Sequence, residues 1–300
     1  MIPARWPRDQ PLDERLLVVD PKRREWRDGH IRDLPGCLLR GDLLVVNDAA
    51  TIPASFSATD PGGRGIELRL AADLGESRWR AVLFGEGDWR MRTQDRAPPQ
   101  EIHPGDEVQI GPGFVGTVEE VDRRAPRLIV VRFSARDAAL WCALYRFGRP
   151  VQYAHLSRPL EVWHAQTPFA SRPWAVEMPS ASRPLQWSLV AELRRRGVHV
   201  AALTLAAGLS STGDPEIDAR LPFPERFDVP RETARAIART HGQKGRVIAA
   251  GTTVVRALEG CAAIHDGDIV AGEGTTDLHI TGAYRPRVVD GVLTGLHEVG

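Results

Sequence analysis

The spacing of apolar positions divides the chain into stretches of different character. Residues 15–20 and 43–48 each carry the run Leu-Leu-Val-Val closed by polar residues, which predicts two strands. From 53 to 133 the pattern changes. Ile66-Glu67-Leu68-Arg69-Leu70 alternates apolar and charged side chains, the period of an antiparallel strand with one buried face. Further short strands are expected over 79–84, 106–110, 115–121 and 127–133, with turns at Pro61-Gly62-Gly63 and Pro112-Gly113. Five strands on short links, with no helical period among them, predict a small antiparallel β-barrel or sandwich.

Beyond 134, helical and apolar-strand patterns alternate. Helices are expected over 137–147, 188–196 and 231–241. In the second, Leu189, Val190 and Leu193 share a face, and Arg194-Arg195-Arg196 and Gly197 end it. Buried strands are expected over 198–205 and 247–250, and further strands over 276–280 and 292–297. Two long connections, 148–187 and 206–230, read as irregular, and loops of that length within a domain commonly carry function. The fold class that results is α/β, with residues 1–52 and 134–300 forming one unit interrupted by an all-β insert over 53–133.

The stretch 245–259 organises this reading. Val247-Ile248-Ala249-Ala250 is an apolar strand, Gly251 breaks it, and Thr252-Thr253 can cap the helix that follows. Such strand–helix junctions occur as plain packing turns. They also lie where α/β proteins place ligands, because free amides at the helix start accept anionic or polar groups. Asn47-Asp48, at the end of another buried strand, has the same two readings: ligand groups, or an Asx-turn that finishes the strand.

Composition narrows the functional classes. Thirty-nine basic residues balance thirty-nine acidic ones, so no global field favours nucleic acid, and an RNA partner requires a local basic patch. Cys37, Cys142 and Cys261 are far apart, and the histidines show no ligand spacing, so neither a disulfide framework nor a metal site is expected. No run of 18 apolar residues and no signal-peptide pattern appears; a cytoplasmic protein without membrane association is the expectation. There is no P-loop and no dinucleotide fingerprint.

The order of several motifs resembles the S-adenosylmethionine:tRNA ribosyltransferase-isomerase family of queuosine biosynthesis. The motifs are Gly41-Asp42-Leu43-Leu44-Val45-Val46-Asn47-Asp48 with Ile52-Pro53-Ala54, then Ala165-Gln166-Thr167, then 246–259, then Thr276-Asp277-Leu278, Tyr284-Arg285 and Val289-Asp290. The resemblance spans nearly the whole chain. It implies a distorted α/β-barrel-like unit with an inserted β-barrel, and a tRNA substrate read by a monomer. It also implies S-adenosylmethionine as ribosyl donor, with adenine and methionine leaving as the ribosyl group moves to a 7-deazaguanine base and rearranges.

Such a reaction needs a carboxylate or aromatic face for a sulfonium cation, a base beside sulfur and an acid for departing adenine. The resemblance places Asp48, Glu259 and Asp277 in catalytic roles. Asn47, Gln166, Thr167, Gly251, Thr252, Thr253, Arg256, Tyr284 and Arg285 are then substrate-binding. Arg256 and Glu259 also read as a surface pair on a helix, and Tyr284 as a core residue.

Departures from the family pattern are concentrated. The Pro-Thr-Ala-Gly-Leu-His-Phe signature is here Pro179-Ser180-Ala181-Ser182-Arg183-Pro184-Leu185, and the Leu-His-Val-Gly segment is Leu205-Ala206-Ala207-Gly208. Pro184 and Ala206 stand where the family has histidine, which predicts a weak or absent tRNA reaction. Asn-Phe-His becomes Gly295-Leu296-His297, and the family's usual C-terminal helix would follow it, so a C-terminally short member is expected. Two alternatives accompany the family reaction: a paralogue acting on another acceptor, and a non-catalytic nucleotide- or RNA-binding protein.

Overall fold

The computed structural model of the chain describes Trp6 and residues 9–295. Much of the Pro-rich N-terminal arm and the expected Leu296-His297 signature position lie outside the described residues. In chain order the strands and helices begin with the hairpin β1 (Arg15–Asp20) and β2 (Glu25–His30), then β3 (Leu43–Asn47) and β4 (Ala49–Thr51). Next come β5 (Ser55–Thr59), β6 (Gly65–Gly75), β7 (Arg78–Phe84), β8 (Glu107–Gly111), β9 (Phe114–Val121) and β10 (Leu128–Phe133). The remainder is α1 (Asp137–Phe147), β11 (Arg172–Ala175), α2 (Trp187–Arg195), β12 (His199–Leu205), α3 (Pro215–Asp218), β13 (Glu225–Val229), α4 (Arg231–Gly242), β14 (Val247–Ala250), α5 (Thr252–Ile264), β15 (Gly272–Thr276) and β16 (Gly291–Leu293).

The fold class is α/β with an inserted antiparallel β-barrel. Strands β5 to β10 close on themselves in the order β10-β7-β6-β5-β8-β9. The barrel has six strands rather than five. The one unread from sequence is β5, whose Ser-Phe-Ser-Ala-Thr alternates but offers only two apolar side chains, Phe56 and Ala58, both buried. The α/β unit is a six-stranded mixed sheet ordered β15-β13-β12-β3-β14-β16. β12, β3, β14 and β16 run parallel, whereas β13 and β15 join antiparallel.

Strand β3 is buried along its whole length, which explains its unbroken apolar run. Alternate residues serve two cores. Leu43 and Val45 pack with Val247, Ala249, Ile237 of α4, and Val254 and Leu258 of α5. Leu44 and Val46 pack on the other side with Ile248, Leu189 and Leu193 of α2, and Leu16 and Ile31 of the N-terminal segment. Helices therefore cover both faces of the sheet. No helix of the described residues is long and apolar enough to cross a membrane.

Other differences from the sequence reading have local causes. β2 is mostly charged and polar, its Trp26 is exposed, and its strand pairing is with β1 alone, so it has no apolar signature. β13 lies within the expected 206–230 loop, its alternation confined to five residues. The strand expected over 276–280 ends at Thr276, because β15 is the glycine-containing Gly-Glu-Gly-Thr-Thr segment just before it. The strand expected over 292–297 is the short β16.

The barrel and the α/β unit are tied at several points, among them the Arg220–Asp122 ion pair at 2.7 Å, the Arg80 guanidinium over the Phe223 ring, and a backbone pair. Ser55 and Arg149 exchange both backbone hydrogen bonds, at 2.9 and 2.8 Å. At Gly148 any Cβ would fall 2.7 Å from the Pro53 carbonyl oxygen and from the Phe56 ring.

The starts of β3 and β14 are locked by Asp42. Its buried carboxylate accepts from the Leu39 amide at 2.8 Å, the Arg246 amide at 3.1 Å and the Arg246 guanidinium at 2.5 Å. Burial alone raises this pKa, but the Arg246 bonds and the Leu39 amide outweigh it and hold the carboxyl below the usual range. A depressed folded pKa gives stability that is complete above the unfolded pKa and is lost as pH falls through the folded one. Asp42→Ala should lower unfolding free energy by about 1–3 kcal/mol. In denaturant titrations at a series of acidic pH values, the variant should also lose less stability on acidification than the unmodified protein.

Candidate functional site

Strands β3, β12 and β14 end side by side, so the chain beyond each of them meets at one edge of the sheet. Gly251 turns β14 into α5 with φ +109°, a conformation that favours glycine. A Cβ there would lie 3.3 Å from Thr253 Oγ1 and 3.4 Å from Ala181 Cβ. The altered 179–185 segment is thus packed against the Gly-Thr-Thr turn. Helix α5 has Gly251 as its N-cap and no side-chain cap, so Thr252 and Thr253 do not play the capping role read from sequence. Thr252 is exposed. Thr253 Oγ1 and Ser182 Oγ are buried and have no hydrogen-bond partner.

One turn along α5, Arg256 is buried rather than on a helix surface, and it does not pair with Glu259. Its Nη1 donates to Glu225 of β13. Its other donors reach the carbonyls of Leu278 at 2.8 Å, Phe223 at 3.0 Å and Thr276 at 3.3 Å. The guanidinium is spent on the protein itself. By holding the carbonyls on both sides of Asp277, it presents that residue to solvent.

Glu259 is fully buried and accepts four hydrogen bonds: from the Tyr284 hydroxyl at 3.0 Å, and from the amides of Arg287 at 2.9 Å and of Val288 and Val289 at 3.0 Å each. It fastens the 284–289 segment onto α5. Tyr284 is half-buried with its hydroxyl engaged, and Arg285 is exposed beside it.

The other predicted residues divide in the same way. The Asn47 amide is fully engaged: Oδ1 accepts from the amides of Ala49 and Leu205 at 3.0 Å, and Nδ2 donates to Leu205 at 3.1 Å. It stitches β3 to β12. Gln166 pairs through both amide atoms with the Thr51 backbone, at 2.9 and 3.0 Å. Thr167 caps its own turn through the Phe169 amide at 3.3 Å. Asp48 is half-buried and accepts from Thr204 Oγ1 at 2.6 Å. Burial pushes its pKa up, against the pull of Thr204 and Arg172. Arg172 pairs with Asp228 at 2.5 Å, and Arg226 stacks on Trp174 at 3.8 Å.

A second set of residues, not read as functional from the sequence, joins this edge to the barrel. The Glu225 carboxylate accepts from the Gly208 amide at 2.8 Å as well as from Arg256. Burial raises its pKa, Arg256 and Gly208 lower it, and the neighbouring Glu177 raises it again. Glu177 follows β11, is half-buried, and accepts from the Tyr153 hydroxyl. Arg69 of β6 lies across the Tyr153 ring at 5.8 Å, and its Nη1 is buried without a partner. The sequence signal was an acid within the apolar Ala-Val-Glu-Met-Pro run; Arg69 read as part of the polar face of β6, which the structure buries as well. Among the described residues no group of three or more His, Cys, Asp or Glu side chains is arranged to hold a metal. Cavities of about 590 and 570 Å³ lie elsewhere, one beneath the N-terminal hairpin and one beside Trp79 and Trp141 on the barrel.

Residues 2–299 match the family model described as queuosine biosynthesis protein. The chain belongs to that family. Among its relatives, the S-adenosylmethionine:tRNA ribosyltransferase-isomerase of Trichlorobacter lovleyi is 32% identical over 302 residues, covering 98% of this chain and 83% of the relative. The protein of the same name from Thermus thermophilus is 33% identical, over 96% of this chain and 81% of the relative. A crystal structure of S-adenosylmethionine tRNA ribosyltransferase from Thermotoga maritima aligns over 99% of this chain and 81% of that one, with 22% identity and a TM-score of 0.47.

The buried position of Glu259 generates a prediction. Glu259→Ala leaves a hydroxyl and three amides without their acceptor, and a buried donor left unsatisfied costs about 1–3 kcal/mol. Amide hydrogen exchange at 287–289 should accelerate markedly in the variant, while exchange in the barrel strands stays as it was.

Proposed function

We propose that the chain is an S-adenosylmethionine:tRNA ribosyltransferase-isomerase of queuosine biosynthesis, with its site at the Gly251 turn. The observation that carries this reading is the pair of buried, partnerless hydroxyls, Thr253 Oγ1 and Ser182 Oγ, on the two segments that meet there. Buried polar groups are normally hydrogen-bonded, so an arrangement of this kind fits a polar ligand such as the ribose of S-adenosylmethionine. Thr252, exposed at the first position of α5, adds a hydroxyl at the same helix start.

Among the carboxylates first assigned to catalysis, Asp48 and Asp277 retain acceptor capacity. Asp277 is exposed and suits the sulfonium cation. Asp48, with its raised pKa at the end of β3, suits the base that takes a proton beside sulfur. Glu259, Arg256, Asn47 and Gln166 are positioning residues in this reading, since each spends its polar atoms on backbone or on another side chain. Arg285 and Tyr284 border the exposed side and face the tRNA. A tRNA acceptor places the reaction in the cytoplasm.

Incubation with S-adenosylmethionine should release adenine, measured chromatographically, and the release should depend on tRNA. Thr252→Val with Thr253→Val should weaken S-adenosylmethionine binding by about 0.5–1.5 kcal/mol, the usual net value of a hydrogen bond. Unchanged affinity by calorimetry in the folded variant would remove the turn from the site. No adenine under any acceptor condition would exclude the reaction itself.

A further inference from the structure

We propose that Glu177 is the general acid that protonates departing adenine, held for that task by Tyr153 and supplying the proton that Pro184 and Ala206 cannot. The inference rests on the reaction read in the preceding subsection and names a proton donor for it.

The glutamates at this edge differ in what holds them. Glu259 has four donors on it. Glu225 is bonded by a guanidinium and an amide. In both, the carboxyl oxygens are taken up by donors that belong to the fold itself. Glu177 differs: its partners are the hydroxyl of Tyr153 and the side chain and backbone of Ser210, and no guanidinium bonds it. As a residue Glu177 is half-buried, and its carboxyl is enclosed beside the Tyr153 hydroxyl and Ser210.

Position supports the same choice. The amides of Val176 and Glu177 both bond the Ala207 carbonyl, at 2.7 and 3.3 Å. Glu177 thereby bridges the two segments from which the family histidines are missing, 179–185 and 205–208. Four residues further on, Ala181 touches the Gly251 turn. A proton donor here serves the region those histidines would serve, on a different element.

The groups that face the carboxyl set its chemistry. Tyr153 and Ser210 favour its charged form, as does Arg69 from the barrel; Glu225, paired with Arg256, faces it as a like charge. Burial is the largest influence and keeps Glu177 protonated to higher pH than an ordinary glutamate. In the step itself, the bond between adenine and the ribosyl carbon breaks and its electron pair leaves on adenine. The carboxyl O–H breaks toward that nitrogen, and a carboxylate remains. The proton taken beside sulfur and the proton given to adenine balance, so the protein returns to its starting state by one internal or solvent proton exchange.

The test is the pH profile of adenine release with S-adenosylmethionine and tRNA, for the unmodified protein and for Glu177→Gln, Glu177→Asp and Tyr153→Phe, each checked for an unchanged unfolding midpoint. The unmodified protein should lose rate as pH rises through the Glu177 titration. Glu177→Gln should fall about 10²–10⁴-fold, the range of a general acid, and lose that limb; Glu177→Asp should recover part of the rate and keep the limb. Tyr153→Phe removes a donor that favours the carboxylate, so it should move the limb to higher pH. If Glu177→Gln does not fold, the Tyr153→Phe shift decides. Adenine release with an unchanged profile in Glu177→Gln, or an unmoved limb in Tyr153→Phe, overturns the role of Glu177 and leaves the family reaction standing. Absence of adenine from the unmodified protein overturns both.

Discussion

A buried guanidinium has five N–H donors and no means of losing its charge, so the structure around it must supply acceptors. Arg256 meets that demand with the Glu225 carboxylate and the carbonyls of Pro222, Phe223, Thr276 and Leu278. These acceptors come from the approach to β13, its first residue, and the end of β15. One side chain on α5 therefore fixes where two antiparallel strands stop and where the loop carrying Asp277 begins. Through Glu225 it also fixes the Gly208 amide, and hence the turn that leads from β12 toward the barrel. The Gly251 turn, one helical turn earlier, inherits its position from the same helix.

Much of this was legible in the sequence wherever one physical rule acted alone. β3 and β14 are buried on both faces, so their composition is apolar throughout and marks them plainly. α2 and α5 show an apolar face at helical spacing. The alternation of β6 announced an antiparallel barrel strand. Elements held by pairing rather than burial left little trace. β2 is a polar strand whose existence depends on β1, and β15 contains glycines where Phe227 of the neighbouring strand needs room.

The site divides on the same principle. The strand–turn–helix pattern gave the backbone turn at Gly251, where an apolar strand meets a helix through a glycine with positive φ, but not that Gly251 rather than a threonine is the N-cap. Side-chain roles were less legible, because a carboxylate in a motif looks the same whether it meets a ligand or four backbone and hydroxyl donors. Glu259 and Arg256 are polar residues whose partners lie 20 to 34 positions away in sequence, and only the fold reveals that their capacity is used up. The converse holds for Glu177 and Tyr153, which carry no motif and yet place a protonatable group beside the segments that depart from the family pattern.

The double hydrogen bond between Ser55 and Arg149 has a consequence for transplanting the barrel into another host. A fragment cut at residue 133 would keep all six strands but leave both polar backbone groups of Ser55 without their partners. It would also strip Gly148 from the Phe56 ring and the Phe147 ring from Gly111 and Phe114, which it now covers. A transferable module would therefore have to run on at least through α1 to about residue 150, and the segment that looks like a connector outside the barrel is its lid.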